Sequence, residues 1–346
     1  MKKQITHLFV VFLIASTNAQ KIEYIIDIDS PMGIAFYEDD LYFSNSHKIS
    51  KIDTTVDSPE VVDVVSGLAN PVAITIVNDE LYIAESDANK ISKIDLSNPE
   101  ALPVDVVVGV NAPSDILIYK NELYIAEYNG NRISKIDLSK ENSSTEIVIK
   151  NLRSPCDILQ YNEELYIVEL FQNSISKIDL NKSNQVLKEV FQDLSFPTNM
   201  FIEGDNLFIA ELLGDQISKI DLQNPNEKTD YIIPEIDAPF DIIIHQNYLF
   251  VSSTDENTIT KINLTIEEKI VPKSLSKLTV YPNPAADYIS IANLKADTFI
   301  RISDMQGNIL KEQTANSATQ IPVSRLKQGY YLILVEDSET LRFVKN

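Results

Sequence analysis

The pentapeptide Ile91-Ser92-Lys93-Ile94-Asp95 recurs down the chain. Copies begin at Ile49, Ile133, Ile175 and Ile217, and a weaker copy, Ile259-Thr260-Lys261-Ile262-Asn263, completes the set, so the step is 42 residues throughout. Each repeat opens on a proline, at Pro31, Pro71, Pro113, Pro155, Pro197 and Pro239. In the second repeat the β-branched and aromatic runs predict strands at Val72–Val77, Leu81–Ala84, Lys90–Leu96 and Val104–Val108, separated by Asn, Asp and Pro. The intervening segments are too short for useful helices. A unit of this size cannot bury its own apolar face and must stack on its neighbours, and a period of about 40–45 residues made of short strands is that of propeller blades.

Six copies of strands one to three occur, but the sixth repeat has no evident fourth strand. The spare segment Glu23–Ile28 lies ahead of the first proline in the fourth-strand register. It is expected to pair with the sixth blade and close the ring, which leaves only short, protected sheet edges. Glu267–Val271 is a rival for that slot.

The net charge of −22, from 51 acidic and 29 basic residues, argues against nucleic acid, whose phosphates need a basic footprint, and against anionic lipid. It suits a solvated acidic exterior, or attraction for cations. Cys156 stands alone, so an intramolecular disulfide is excluded, and it reads as a small core filler. His7, His47 and His245 are the only histidines, a poor supply for histidine-based catalysis. At the start, Lys2 and Lys3 precede the apolar run Leu8–Ala15 and the small residues Thr17-Asn18-Ala19, which predicts a secretory signal peptide over 1–19. No later segment is apolar for 18 residues, so no transmembrane segment is expected in the mature chain.

The repeats resemble the NHL-type and related six-bladed propeller repeats. The residues that carry the likeness are the leading proline, Leu-Tyr at Leu81-Tyr82, Leu123-Tyr124 and Leu165-Tyr166, and the acid ending strand two. The loop asparagines Asn89, Asn131, Asn173 and Asn257 and the Ile of strand three complete it. This implies a fold and not an activity. Residues repeated in every blade are expected to be structural. Lys93 and Asp95 share a strand face and read as a solvated pair, and each loop Asn is expected to fold back on its own turn.

Function is better sought where the blades differ. The second residue after each proline is Gly33, Ala73, Asp115, Asp157, Asn199 and Asp241. Asp115, Asp157, Asn199 and Asp241, on consecutive blades near the channel, are candidate oxygen ligands for Ca²⁺; the plainer reading has each bonding local backbone at the strand entrance. Similarity to lactonase-like hydrolases of the SMP-30 type would place ligands one residue earlier, where Met32, Val72, Ser114, Cys156, Thr198 and Phe240 stand, so that ligand set does not carry over. In streptogramin-lyase-like propellers a catalytic histidine works beside a metal; here His47 and His245 are expected at opposite faces, unable to meet.

A second asymmetry lies in the loops after strand two. Tyr128, Leu170-Phe171 and Leu212-Leu213 form an apolar group over blades three to five, beside the acids Glu127, Glu169 and Glu211. This is a candidate site for a sugar, peptide or other small ligand, unless the group packs on neighbouring loops.

Beyond a linker at 269–275 the period stops. Tyr281-Pro282-Asn283-Pro284, Asp304-Met305-Gln306-Gly307 and Leu326-Lys327-Gln328-Gly329-Tyr330-Tyr331 follow in order. They resemble the type A C-terminal sorting domain of the type IX secretion system of Bacteroidetes. The resemblance implies export across the outer membrane with the type IX machinery as partner of residues 276–346, usually followed by removal of that segment. The whole reads as an all-β protein: a six-bladed β-propeller over 20–268 and a small C-terminal β-sandwich over 276–346. It is expected to be extracellular or held at the outer-membrane surface, binding an unidentified ligand or protein; the alternative is a Ca²⁺-dependent lactonase or esterase.

Overall fold

A computed structural model describes residues 22–56, 59–98, 100–140, 143–224, 231–234, 236–264, 278–292, 294, 298–304, 308–335 and 340–346. The expected signal peptide at 1–19, the expected linker at 269–275 and the rival strand Glu267–Val271 lie outside them. Six four-stranded antiparallel sheets follow one another along the chain. In the second, the strands are Pro71–Val77, Glu80–Glu85, Lys90–Asp95 and Val104–Val108. The first strand of every sheet contacts the first strand of the next, and Pro239–His245 of the last contacts Ile34–Tyr37 of the first. The sheets therefore close a ring around a channel lined by strand one. Closure uses the N-terminal segment as expected: Ile22–Asp27 pairs antiparallel with Thr258–Asn263 and supplies the sixth blade's fourth strand.

The Leu-Tyr-Ile-Ala run of strand two holds blade to blade. Alternate strand residues face opposite sides of a sheet. Leu81 and Ile83, both fully buried, face back to Tyr42 and Ile49 of blade one. Tyr82 and Ala84 face forward to Leu123 and Ile125 of blade three. Burying each Leu or Ile contributes roughly 1.5–3 kcal/mol, and the repetition around the ring makes these interfaces its main cohesive force.

Two repeated residues act differently from expectation. Lys93 does not pair with Asp95 but crosses to the first residue of strand two, Glu80, at 3.1 Å, as Lys51 does to Asp40, Lys135 to Glu122 and Lys177 to Glu164 at 2.6 Å. Asp95 instead accepts from the backbone and hydroxyl of Ser97, fixing the turn after strand three. The loop asparagines take up left-handed backbone, which sets their turns, but their side chains bond the start of the next blade rather than folding back, Asn257 closing the ring on the Ser30 amide. Asn89, Asn131 and Asn173 accept from the amides of Ala112, Ser154 and Phe196, each just before the next blade's proline.

The C-terminal part is a two-sheet sandwich. Thr279–Tyr281, Tyr288–Ala292 and Ile321–Pro322 make one sheet, and Thr298–Asp304, Ile309–Ala315, Gly329–Val335 and Thr340–Lys345 the other. Ile289, Ile291, Ile321, Ile333 and Phe343 are fully buried between them. Asn283 pins the last strand by accepting from the amide of Val344 at 2.8 Å.

Candidate functional site

The channel end at which strand one begins is the site-bearing face. Each full-length strand one carries a bulge at its start: Pro113 pairs with Glu127, yet Asp115 pairs with Ala126, leaving Ser114 as an extra residue, and blades two, four, five and six repeat the pattern. A bulge sets two residues against one. The residue after the proline and the one beyond it therefore both line the cavity, Ser114 with Asp115 and Cys156 with Asp157. Simple alternation along a strand would send them to opposite faces, and the bulge overrides it. Ser114, Cys156 and Thr198 direct Oγ or Sγ onto the carbonyls of Pro155, Pro197 and Pro239 of the next blade.

The four expected metal ligands come together along the channel wall. Their first role is to tie blades: Asp115 Oδ2 accepts from the amide of Ile158 at 2.9 Å and Asp157 Oδ2 from that of Met200 at 2.8 Å. Asn199 Oδ1 accepts from Ile242 at 3.2 Å, and Asp241 Oδ2 closes the ring on Ile34 at 2.7 Å. The backbone bonded is chiefly the next blade's, 43 residues ahead for the first three, while the adjacent amides of Ile116 and Ile242 also bond Asp115 and Asp241. Asn199 Nδ2 also donates to Asp157 Oδ1 at 3.2 Å. Gly33 holds the blade-one position, where a Cβ would meet the Ala73 Cα at 2.8 Å.

Burial dominates the electrostatics of these acids. It pushes the Asp115 carboxyl up to about 7 and that of Asp241 up to about 8, against the lowering effect of the bonded amides. Asp157 is pushed well above the ordinary range by burial and then by the charges of Asp115 and Asp241. Oxygens are the right chemistry for calcium, which takes roughly six to eight, but each of the four residues already gives one to an amide. Among the described residues no group of three or more His, Cys, Asp or Glu is arranged to hold a metal ion. The residues present do not make a protein-only calcium cage.

The strand-two acids are structural. Glu127 is fully buried, accepts from the Asn111 amide at 2.7 Å and takes both Nε and Nη2 of Arg132. Glu85 and Glu169 each accept from one loop amide and one serine, Ser92 or Ser176. Glu211 does the same with Ser195 and Ser218 and also takes Gln216. His47 and His245 lie at opposite ends of their blades, as expected. His47 is exposed in the loop before Lys48. His245 stacks on Phe36 at 3.9 Å and lines a separate 280 Å³ cavity with Lys261 and Asp39.

The apolar loop group sits at the mouth of a 470 Å³ channel cavity. Tyr128, Leu170 and Leu212 line it, while Phe171 and Leu213 pack in the same cluster. Two features were not foreseen. Phe196 is buried at the centre of the cluster, in left-handed backbone (φ 60°) where the other blades carry Ser30, Asn70, Ala112, Ser154 or Ala238. A bulky residue in that conformation costs of order 1–3 kcal/mol and points to a local constraint. Its departure from the Ser, Asn and Ala of the other blades was the available signal. The second is that the C-terminal sandwich sits on this mouth. Val344 is buried against Leu170 and Phe196, and Tyr330 meets Phe196 edge-on at 5.5 Å and lines the cavity. Arg342 faces Asp215, Asp255 and Glu256 at 3.6–3.8 Å, and Asn173 Nδ2 donates to the Asn283 carbonyl at 3.3 Å.

Residues 279–346 match the family described as Secretion system C-terminal sorting domain. The C-terminal sandwich is thus a type IX sorting domain, and the chain is secreted or displayed at the cell surface. No curated protein sequence matches the chain. Among solved structures, an auxiliary nutrient binding protein from Bacteroides ovatus is similar with a TM-score of 0.58 at 12% identity, over 68% of this chain and 69% of that one. Virginiamycin B lyase from Staphylococcus aureus is similar with a TM-score of 0.53 at 17% identity, over 70% and 98%. A chain of a nidogen/laminin complex gives 0.57 at 13%, over 66% and 90%. At these identities the likeness shows the propeller fold alone. No helix among the described residues is long and apolar enough to cross a membrane.

Proposed function

We propose that the propeller is an extracellular binding module whose ligand enters at the channel mouth over blades three to five. The observation that carries this reading is the 470 Å³ cavity, walled by apolar side chains including Tyr128, Leu170 and Leu212, with Asp115, Asp157 and Asp241 deeper in. Its volume lies within the range of small-molecule sites, about 300–1,000 Å³, and an apolar wall with a few converging polar groups is their usual make-up. Carboxyls held under low polarity favour a ligand that is neutral or cationic, with an apolar body; a sugar face, a peptide side chain or an amine meets that description. The test is retention on glycan and peptide arrays. Phe171→Ser with Leu212→Ser removes the apolar lip without touching the ring clamps and should abolish retention, whereas retention equal to the parent protein refutes the site.

A second reading is a Ca²⁺-dependent hydrolase of lactones or esters, with an ion that keeps much of its water shell beside Asp115, Asp157, Asn199 and Asp241, since these four alone do not cage it. Its support is the three raised carboxyls, which a divalent ion would return to their charged form. Turnover of lactones or esters, lost in Asp157→Ala, would establish it over the binding reading.

A further inference from the structure

The sorting domain's contact with the propeller falls on the residues assigned above to the ligand. In the hairpin of Gly329–Val335 and Thr340–Lys345, Tyr330 pairs with Val344 and Leu332 with Arg342. Because alternate residues share a face, Tyr330, Arg342 and Val344 project together, while their neighbours Tyr331, Leu341 and Phe343 fill the sandwich core. The projecting face meets Leu170, Phe196 and the partly buried Tyr128 and Leu212, and these same loop residues form the cavity wall. The apolar lip, which would be an exposed patch on a bare propeller, is covered by this chain's own tail.

The charged part of the contact is loosely made. Arg342 lies among three carboxylates, but at 3.6–3.8 Å the pairs are longer than hydrogen bonds. Its Nη1 is buried without a hydrogen-bond partner among the described residues. An imperfectly satisfied guanidinium adds less to docking than a bidentate pair would, and pairs whose acidic side chains are 28–47% exposed weaken with salt. Tyr330 keeps 41% of its surface open while capping the cavity. This is a partial lid held by one charge cluster, two apolar side chains and the Asn173–Asn283 hydrogen bond.

We propose that the sorting domain is a built-in plug of the ligand site: docked through Tyr330, Val344 and Arg342, it competes with the ligand for Leu170, Phe196 and Leu212, so the site is withheld while the tail is seated. The proposal rests on the binding reading above and adds its regulation. The partner in the closed state is a segment of the same chain, and the opening signal is anything that weakens the Arg342 cluster or detaches the tail.

The test uses the full chain and two readouts. Amide exchange at Leu170, Leu212 and Leu213 reports the cover, and binding of the neutral apolar dye Nile red reports the site. Arg342→Glu should accelerate exchange at those amides about tenfold or more and raise dye binding to match. Pairing it with Asp255→Lys and Glu256→Lys should restore both, and Phe171→Ser with Leu212→Ser should remove the dye signal. Arg342 lies outside both cores, and circular dichroism verifies that each variant is folded; Tyr330→Ala serves as a second opening variant. Faster exchange without dye binding would show that the tail undocks from a face that takes no apolar ligand, overturning the binding reading. Equal and measurable dye binding in parent and variant, at unchanged exchange or not, would overturn the plug and leave the site reading intact.

Discussion

The three channel carboxyls make the propeller's stability fall with rising pH across neutrality. In the unfolded chain an aspartate titrates near its ordinary value of 3.8, whereas Asp115 and Asp241 in the ring titrate at about 7 and about 8. The folded state thus binds more protons than the unfolded state between these limits. For an acid raised on folding, the penalty is absent below the unfolded value and complete above the folded one, so stability is lost as pH climbs through 6 to 8. A tenfold difference in proton affinity between the two states corresponds to about 1.4 kcal/mol. Integrating both groups from pH 8 to pH 6 gives a gain of about 3–4 kcal/mol, or roughly 6–15 °C in Tm for a domain of this size. Acids lowered on folding, such as Asp137 at about 2, act only in more acidic solution and leave this window clear. Scanning calorimetry of the full chain at pH 6, 7 and 8 reads the effect, and Asp115→Asn with Asp241→Asn should reduce it, leaving the share carried by Asp157. A Tm that is level or higher at pH 8 would refute burial as the governing influence on these carboxyls.

Other perturbations probe separate parts of the structure. Gly33→Val drives a side chain onto the backbone of Val72 and Ala73; overpacking of this kind typically costs about 1–3 kcal/mol, read by urea denaturation. Glu127→Ala orphans the Asn111 amide and leaves Arg132 half-buried without its fork, and should cost about 3–5 kcal/mol in the same assay. A melt with Ca²⁺ and then chelator tests the ion: a hundredfold excess over Kd adds about 2.7 kcal/mol, and a rise in Tm that persists in the Asp115, Asp157 and Asp241 alanine variants would rule out the channel as its place. Deleting 279–346 should stop the propeller reaching the cell exterior, followed by fractionation; normal export would refute the assignment of the sorting domain.

The ring was legible because its cause is local and repeated: the 42-residue step, the proline and the Leu-Tyr-Ile-Ala run all state how one blade must meet the next. The spare segment at Glu23–Ile28 could be placed for the same reason, since five complete blades expose what the sixth lacks. The bulge after each proline was not legible, because the extra residue Ser114 or Cys156 is as compatible with simple alternation as its neighbours. The partners of Lys93 and Asn89 were misassigned for a related reason: each reaches across to another strand or blade, and spacing along one strand cannot rank such partners. The tail's docking face was hidden inside a motif. Tyr330 and Tyr331 are adjacent and chemically identical, and only the observed alternation shows which enters the sandwich and which meets the propeller.

The N-terminal strand couples the two ends of the ring in time as well as space. Ile22 lies opposite Ile262, so the pairing that completes the sixth sheet joins residues separated by nearly the whole domain, and long-range pairings of this kind form late. Until then Thr258–Asn263 is an open strand edge, able to recruit any extended peptide, a second unfinished copy included. A fragment that starts at the first proline would carry that edge permanently. The short segment ahead of Pro31 is therefore the ring's guard against self-association, and dimers or aggregates of a chain lacking residues 22–27 should be held together by blade six.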